Sequence, residues 1–135
     1  FQALAPFAVR KEAMDCLDRV GLVDRAMARV DSLSGGQQQR VAIARMLMQR
    51  PSFILADEPD ASLDPQTGEE VMQLLSDLVR REGLTLLMIS HRLEHALAFS
   101  DRILGLSQGR ILLDLPAARA DAATLRQFFD HREAA

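Results

Sequence analysis

The sequence predicts an α/β fold with a mainly parallel sheet flanked by helices. Two short apolar runs, residues 53–56 and 84–89, read as strands. Between them Val71, Leu74, Leu75, Leu78 and Val79 recur at i, i+3, i+4, i+7 and i+8, the period of an amphipathic helix. Strand, helix, strand, helix order calls for crossovers that set the strands side by side and place helices on the sheet faces. The length of 135 residues allows one domain, and a hydrophobic fraction of 48% supplies a core.

Each element has a local reason. Residues 9–20 form a helix: Ala13, Leu17 and Val20 share a face, and Gly21 stops it. Leu22, Val23 and Met27 suggest a second, short helix. Over residues 35–49, Val41, Ala44, Leu47 and Met48 make one apolar stripe that ends at Pro51. Residues 53–56 are apolar throughout, as in a strand buried on both sides. Pro65 opens the next helix, where its missing N–H costs nothing, and Gly83 closes it. Residues 84–89 repeat the buried-strand pattern. Residues 93–98 form a short helix, and residues 102–106 and 110–113 flank Ser107-Gln108-Gly109 as a hairpin. Residues 122–129 form a terminal helix, and the Ala-rich residues 117–123 mark a soft boundary before it.

Composition excludes several classes. A net charge of −3, from 16 basic and 19 acidic residues, does not indicate a general nucleic-acid surface. The single cysteine, Cys16, excludes an internal disulfide and fits a reducing compartment; its helical setting makes it a small core residue. No apolar stretch approaches the length of a membrane span, and no signal peptide is visible.

The chemistry sits in four motifs. Leu33-Ser34-Gly35-Gly36-Gln37 runs directly into a helix. Glycines at a helix start leave backbone N–H groups bare, and the positive end of the helix favours a phosphate. Ser34 can cap the helix or bond a phosphate oxygen. The first apolar run ends in Asp57-Glu58-Pro59, and Ala61-Ser62-Leu63-Asp64-Pro65 follows. The second run ends in Ser90-His91. Asp57, Glu58 and His91 thus fall at the carboxyl ends of two strands, where ligands bind in parallel sheets. His95 and His131 have no such context and are expected to face solvent.

This order and spacing resembles the second half of the nucleotide-binding ATPase domain of ATP-binding-cassette (ABC) proteins, over residues from about 15 to 114. In that family LSGGQ is the signature, the run ending in Asp57-Glu58 is Walker B, Ser62-Leu63-Asp64 is the D-loop, and His91 is the switch histidine. The resemblance implies a P-loop NTPase-type fold with ATP and Mg²⁺ as cofactors. It implies Glu58 and His91 as catalytic residues and Asp57 on Mg²⁺ through a water. Ser34, Gly35, Gly36 and Gln37 would contact ATP held by a second ABC ATPase domain packed head to tail, and Asp64 would cross that seam. Read without the family, Asp64 is a turn or N-cap carboxylate before Pro65.

The implied domains are a catalytic portion over residues 1–116, with a signature helical region at 8–50 and an α/β core at 51–116, and a tail at 117–135. The implied partners are transmembrane permease subunits and a substrate-binding protein, with the chain cytoplasmic and peripheral on the inner face of the membrane. No nucleic acid is expected as a partner.

Two departures stand out. No GxxxxGK[ST] phosphate loop occurs, and the only lysine is Lys11. The chain is therefore expected to be the C-terminal piece of a longer domain, inactive alone. Asp60 stands where the family commonly carries Thr; it adds negative charge near a metal site, or faces solvent. The segment LSGGQQQRVAIAR resembles bacterial importer ATPases, and Ala61-Ser62-Leu63-Asp64-Pro65 with residues 122–129 looks similar to phosphonate-type importers. The alternatives are a soluble ABC ATPase of DNA repair or translation, and a non-catalytic truncated fragment.

Overall fold

The computed structural model describes residues 5–133, with side-chain burial through residue 127. The chain divides into two compact units, Phe1–Met88 and Ile89–Ala135.

In the first unit, helix α1 (Phe7–Arg19) and helix α2 (Gly35–Met48) pack together, and α2 packs on helix α3 (Pro65–Glu82). Cys16 from α1, Val20 and Leu22 from the turn that follows it, Ile43, Ala44 and Leu47 from α2, and Val71, Leu75 and Leu78 from α3 form one buried cluster. Burial of this apolar surface is the main stabilising term, on the order of 1.5–3 kcal/mol per large side chain. Gly83, at φ 63°, ends α3 in the left-handed conformation that a residue without Cβ adopts freely. Arg19 pairs with Glu82 and Arg50 with Glu12, tying α1 to the ends of α3 and α2.

Strands β1 (Phe53–Asp57) and β2 (Thr85–Ile89) pair in a two-stranded parallel sheet, with α3 as the crossover. One expectation fails here. Ile54 is buried and Leu86 packs against the helical cluster, but Phe53 (50%) and Leu55 (72%) are exposed. Leu87 and Ile89 of β2 are exposed as well. The sheet is covered on one face by the helices and open on the other, so an unbroken apolar run did not mean burial on both sides.

The short helix expected at residues 22–27 is a single 3-10 turn. It covers Val23–Arg25, a second such turn follows at Val30–Ser32, and Met27 between them is 83% exposed. Leu22 alone reaches the core, which gives a helix no apolar face to bury.

The second unit holds α4 (Leu93–Phe99), strands β3 (Arg102–Ser107) and β4 (Arg110–Pro116), and α5 (Ala122–Glu133). The strands pair antiparallel from Ser107–Arg110 to Arg102–Pro116, with an irregularity between Gly105 and Leu106. Gln108 (φ 48°) and Gly109 (φ 74°) turn the hairpin, and positive φ at both central residues matches the twist of the strands. Arg102 donates from Nε and Nη2 to the two Asp114 oxygens, both at 2.7 Å, across the pair. Asp121 caps α5, its carboxylate accepting from the Thr124 N–H at 2.6 Å, and Leu125 is buried where α5 meets α4.

His95 overturns its expected exposure. It is 1% exposed and packs edge-on to Phe99, ring centroids 5.5 Å apart. The two rings are one helical turn apart on the same face of α4, which puts the imidazole inside. The His131 side chain lies outside those described.

Candidate functional site

The signature forms the N-terminus of α2. Ser34 is the N-cap: its Oγ accepts the Gln37 N–H at 3.3 Å, and Gln37 Oε1 accepts the Ser34 N–H at 3.0 Å. This reciprocal box fixes both side chains and the entry of the chain into the helix. Ser34 accepts through its oxygen, so its O–H can still donate outward. The Gly35 and Gly36 N–H groups precede the first intrahelical carbonyls and have no partner within the helix. Both serine readings from the sequence are thus compatible: the hydroxyl caps, and it can also bond a phosphate.

Glu58 stands immediately beyond β1, half-buried, with its backbone at φ 43°. A non-glycine residue there is strained, and such strain gathers at functional sites. The Ala61 N–H donates to the Glu58 carbonyl at 3.1 Å and the Leu63 N–H to the Asp60 carbonyl at 3.0 Å, so successive tight turns hold the segment. Asp57, the last residue of β1, is exposed. Asp60 is 6% exposed, which excludes its solvent-facing reading.

Asp64 caps α3: Oδ1 accepts the Thr67 N–H at 3.0 Å. Hydrogen bonds from Thr67, first its side chain and then its backbone, hold the Asp64 carboxyl below the usual carboxylate range. The signature and the D-loop segment come together. A Cβ on Gly35 would lie 3.2 Å from Leu63 Cδ2, and one on Gly36 would overlap the Thr67 methyl. Sequence reasoning missed Thr67. Its place in the cap of α3 was legible from Asp64-Pro65-Gln66-Thr67, but its contact with Gly36 is a tertiary fact.

His91 lies in the second unit, exposed, two residues past β2. The Arg92 N–H donates to Ser90 Oγ at 3.0 Å, which turns the chain at this point.

The donor set bears on a metal. Among the described residues no three His, Cys, Asp or Glu side chains gather to hold an ion. A cation at the end of β1 would take Asp57 together with water and phosphate oxygens. Mg²⁺ binds in that way, through one or two carboxylates and several waters, so the residues fit it.

Comparison with known proteins gives this arrangement a class. The family model described as ABC transporter matches residues 5–61. The chain is 48% identical over 128 residues to the phosphonates import ATP-binding protein PhnC 3 of Nostoc sp., covering 95% of this chain and 49% of that protein. It is 48% identical over 127 residues to the phosphite import ATP-binding protein PxtA of Stutzerimonas stutzeri, covering 94% and 46%. Among solved structures it superposes on cbiO1 from Clostridium perfringens, part of the ABC transporter complex cbiONQ. The TM-score there is 0.77 at 30% identity, covering 87% of this chain and 48% of that one. It also matches the dimeric structure of MJ0796, a bacterial ABC transporter cassette. That TM-score is 0.66 at 42% identity, covering 83% and 48%.

The fold is that of an ABC ATPase cassette, and the chain belongs to the ABC transporter ATP-binding family. The chain spans about half the length of the curated relatives it matches.

Proposed function

We propose that this chain is the signature-bearing half of the ATPase subunit of an ABC importer, in which ATP binding and hydrolysis drive a substrate across a membrane. The observation that carries this reading is the N-terminus of α2. There a capped turn of Ser34, Gly35 and Gly36 presents unbonded backbone donors at the positive end of a helix.

In this reading Ser34, Gly35, Gly36 and Gln37 contact the phosphates of ATP held by a second ABC ATPase domain, and Asp64 lies at the seam. Glu58 accepts a proton from the attacking water. His91 donates a hydrogen bond toward the terminal phosphate. Asp57 would hold Mg²⁺ through a water, and the bound ion would neutralise charge on the phosphate oxygens. Residues 8–50 form the signature region, 51–116 the α/β core and 117–135 a tail.

Among the described residues no helix is long and apolar enough to cross a membrane. In this reading transmembrane permease subunits form the passage, with this chain peripheral on their cytoplasmic side and a substrate-binding protein on the other. The names of the relatives make phosphonate and phosphite the first substrates to test.

The test is Glu58→Gln in the full-length protein. Losing a general base lowers turnover by about 10²–10⁴, while ATP affinity stays near wild type because the amide keeps the shape. Near-normal hydrolysis by this variant would remove Glu58 from the mechanism.

A further inference from the structure

The start of α2 and the start of α3 meet through the two signature glycines. Gly36 is buried, and a Cβ there would overlap Thr67 Cγ2. Gly35 stands against Leu63, the residue before the Asp64 cap of α3. One turn further along both helices, Arg40 Nη2 and Glu70 Oε2 close the same seam at 3.3 Å. Thr67 has a second engagement. Its N–H donates to Asp64 Oδ1 at 3.0 Å. β-branching restricts this side chain to few rotamers in a helix, and it is its methyl that Gly36 meets.

We infer that Thr67 is a positioning residue that joins the signature to Asp64: its N–H holds the carboxylate, and its methyl sets how closely the Gly36 turn seats on α3. The inference rests on the proposed role of Ser34–Gln37 and deepens it. Glycine at position 36 answers two demands, bare backbone donors toward the phosphate and space for the Thr67 methyl behind them. The signature and the D-loop segment then move as one piece.

The experiment compares wild type with Gly36→Ala, Thr67→Ser, Thr67→Val and the double variant Gly36→Ala/Thr67→Ser. Thr67→Ser removes the methyl and keeps the hydroxyl; Thr67→Val does the reverse. Thermal midpoints are read on this chain, and kcat and KM for ATP on the full-length protein. Gly36→Ala overpacks the seam and lowers the midpoint by about 5–10 °C, with a fall in kcat. The double variant regains most of both. Thr67→Val keeps both the methyl and the N–H bonded to Asp64, and its midpoint and kcat stay near wild type.

A double variant no better than Gly36→Ala overturns the contact. A rescued midpoint without rescued kcat makes Thr67 a packing residue only and overturns the positioning role. A wild type without ATP turnover overturns the parent reading and the positioning role with it. The midpoints separate that case, because they report the contact whatever the activity.

Discussion

Replacing Glu58 by Gly and, separately, by Ala isolates the strain stored at the end of β1. Both changes remove the whole carboxylate side chain, so its lost contacts cancel in the comparison. What differs is the backbone. Glu58 sits at φ 43°, where a residue with Cβ is disfavoured by roughly 1–2 kcal/mol. Glycine escapes that penalty but loses about 0.5–1 kcal/mol more chain entropy on folding. The difference leaves the Gly variant more stable than the Ala variant by about 0.5–1 kcal/mol. For a domain of this size that is roughly 2–4 °C in thermal midpoint, which scanning calorimetry resolves. Turnover falls in both as it does in Glu58→Gln, since neither residue can accept a proton. The result to be expected is a protein stabilised relative to Ala at the position where it cannot work. An Ala variant as stable as the Gly variant would show that the backbone at Glu58 is unstrained, and that its side chain is aimed by packing instead.

Three further outcomes follow from the same structure. Leu75 is buried in the helical cluster, so Leu75→Ala should cost about 2–5 kcal/mol in urea unfolding; a loss under about 1 kcal/mol would place the core elsewhere. Burial pushes the Cys16 thiol above its ordinary value, so alkylation of the folded chain at neutral pH should be far slower than after unfolding; equal rates would contradict this. The carboxyls of Asp31 (bonded by the Arg29 side chain), Asp64 (by Thr67), Asp114 (by the Arg102 side chain) and Asp121 (by the Thr124 backbone) are all held below the usual range. Their contribution is present above the unfolded value of about 3.9 and is lost as pH falls through the folded values. Stability should therefore drop below about pH 4, and a rise between pH 5 and pH 3 would refute this.

Much of the fold was legible because punctuation and period agreed. Pro65 and Gly83 bracket α3 where the apolar spacing begins and ends, and Gln108-Gly109 mark the hairpin turn. The motif residues fell where strands end and helices begin, because loops at those points are where backbone donors and carboxylates are free to meet a ligand. Two readings failed and one contact was missed for one reason: a single sequence does not say what lies opposite a side chain. Phe53 and Leu55 look buried until the open sheet face is seen. His95 looks like a surface histidine until Phe99 appears on its face of α4. Thr67 looks like an ordinary cap residue until Gly36 is found against its methyl. Local chemistry is written in the order of residues, but burial and contact depend on neighbours distant in the chain.

The central claim is that Ser34–Gln37 contact a nucleotide held by another ATPase domain, while Glu58 drives its hydrolysis. The most direct measurement is ATP-dependent dimerisation of full-length Glu58→Gln and Ser34→Arg, followed by size-exclusion chromatography beside ATP binding. Glu58→Gln should bind ATP and elute as a dimer, because the nucleotide is held and not consumed. Ser34→Arg should bind ATP equally well and remain a monomer, because bulk and charge at the start of α2 block the closing face. Dimerisation of Ser34→Arg to the same extent as Glu58→Gln would contradict the account.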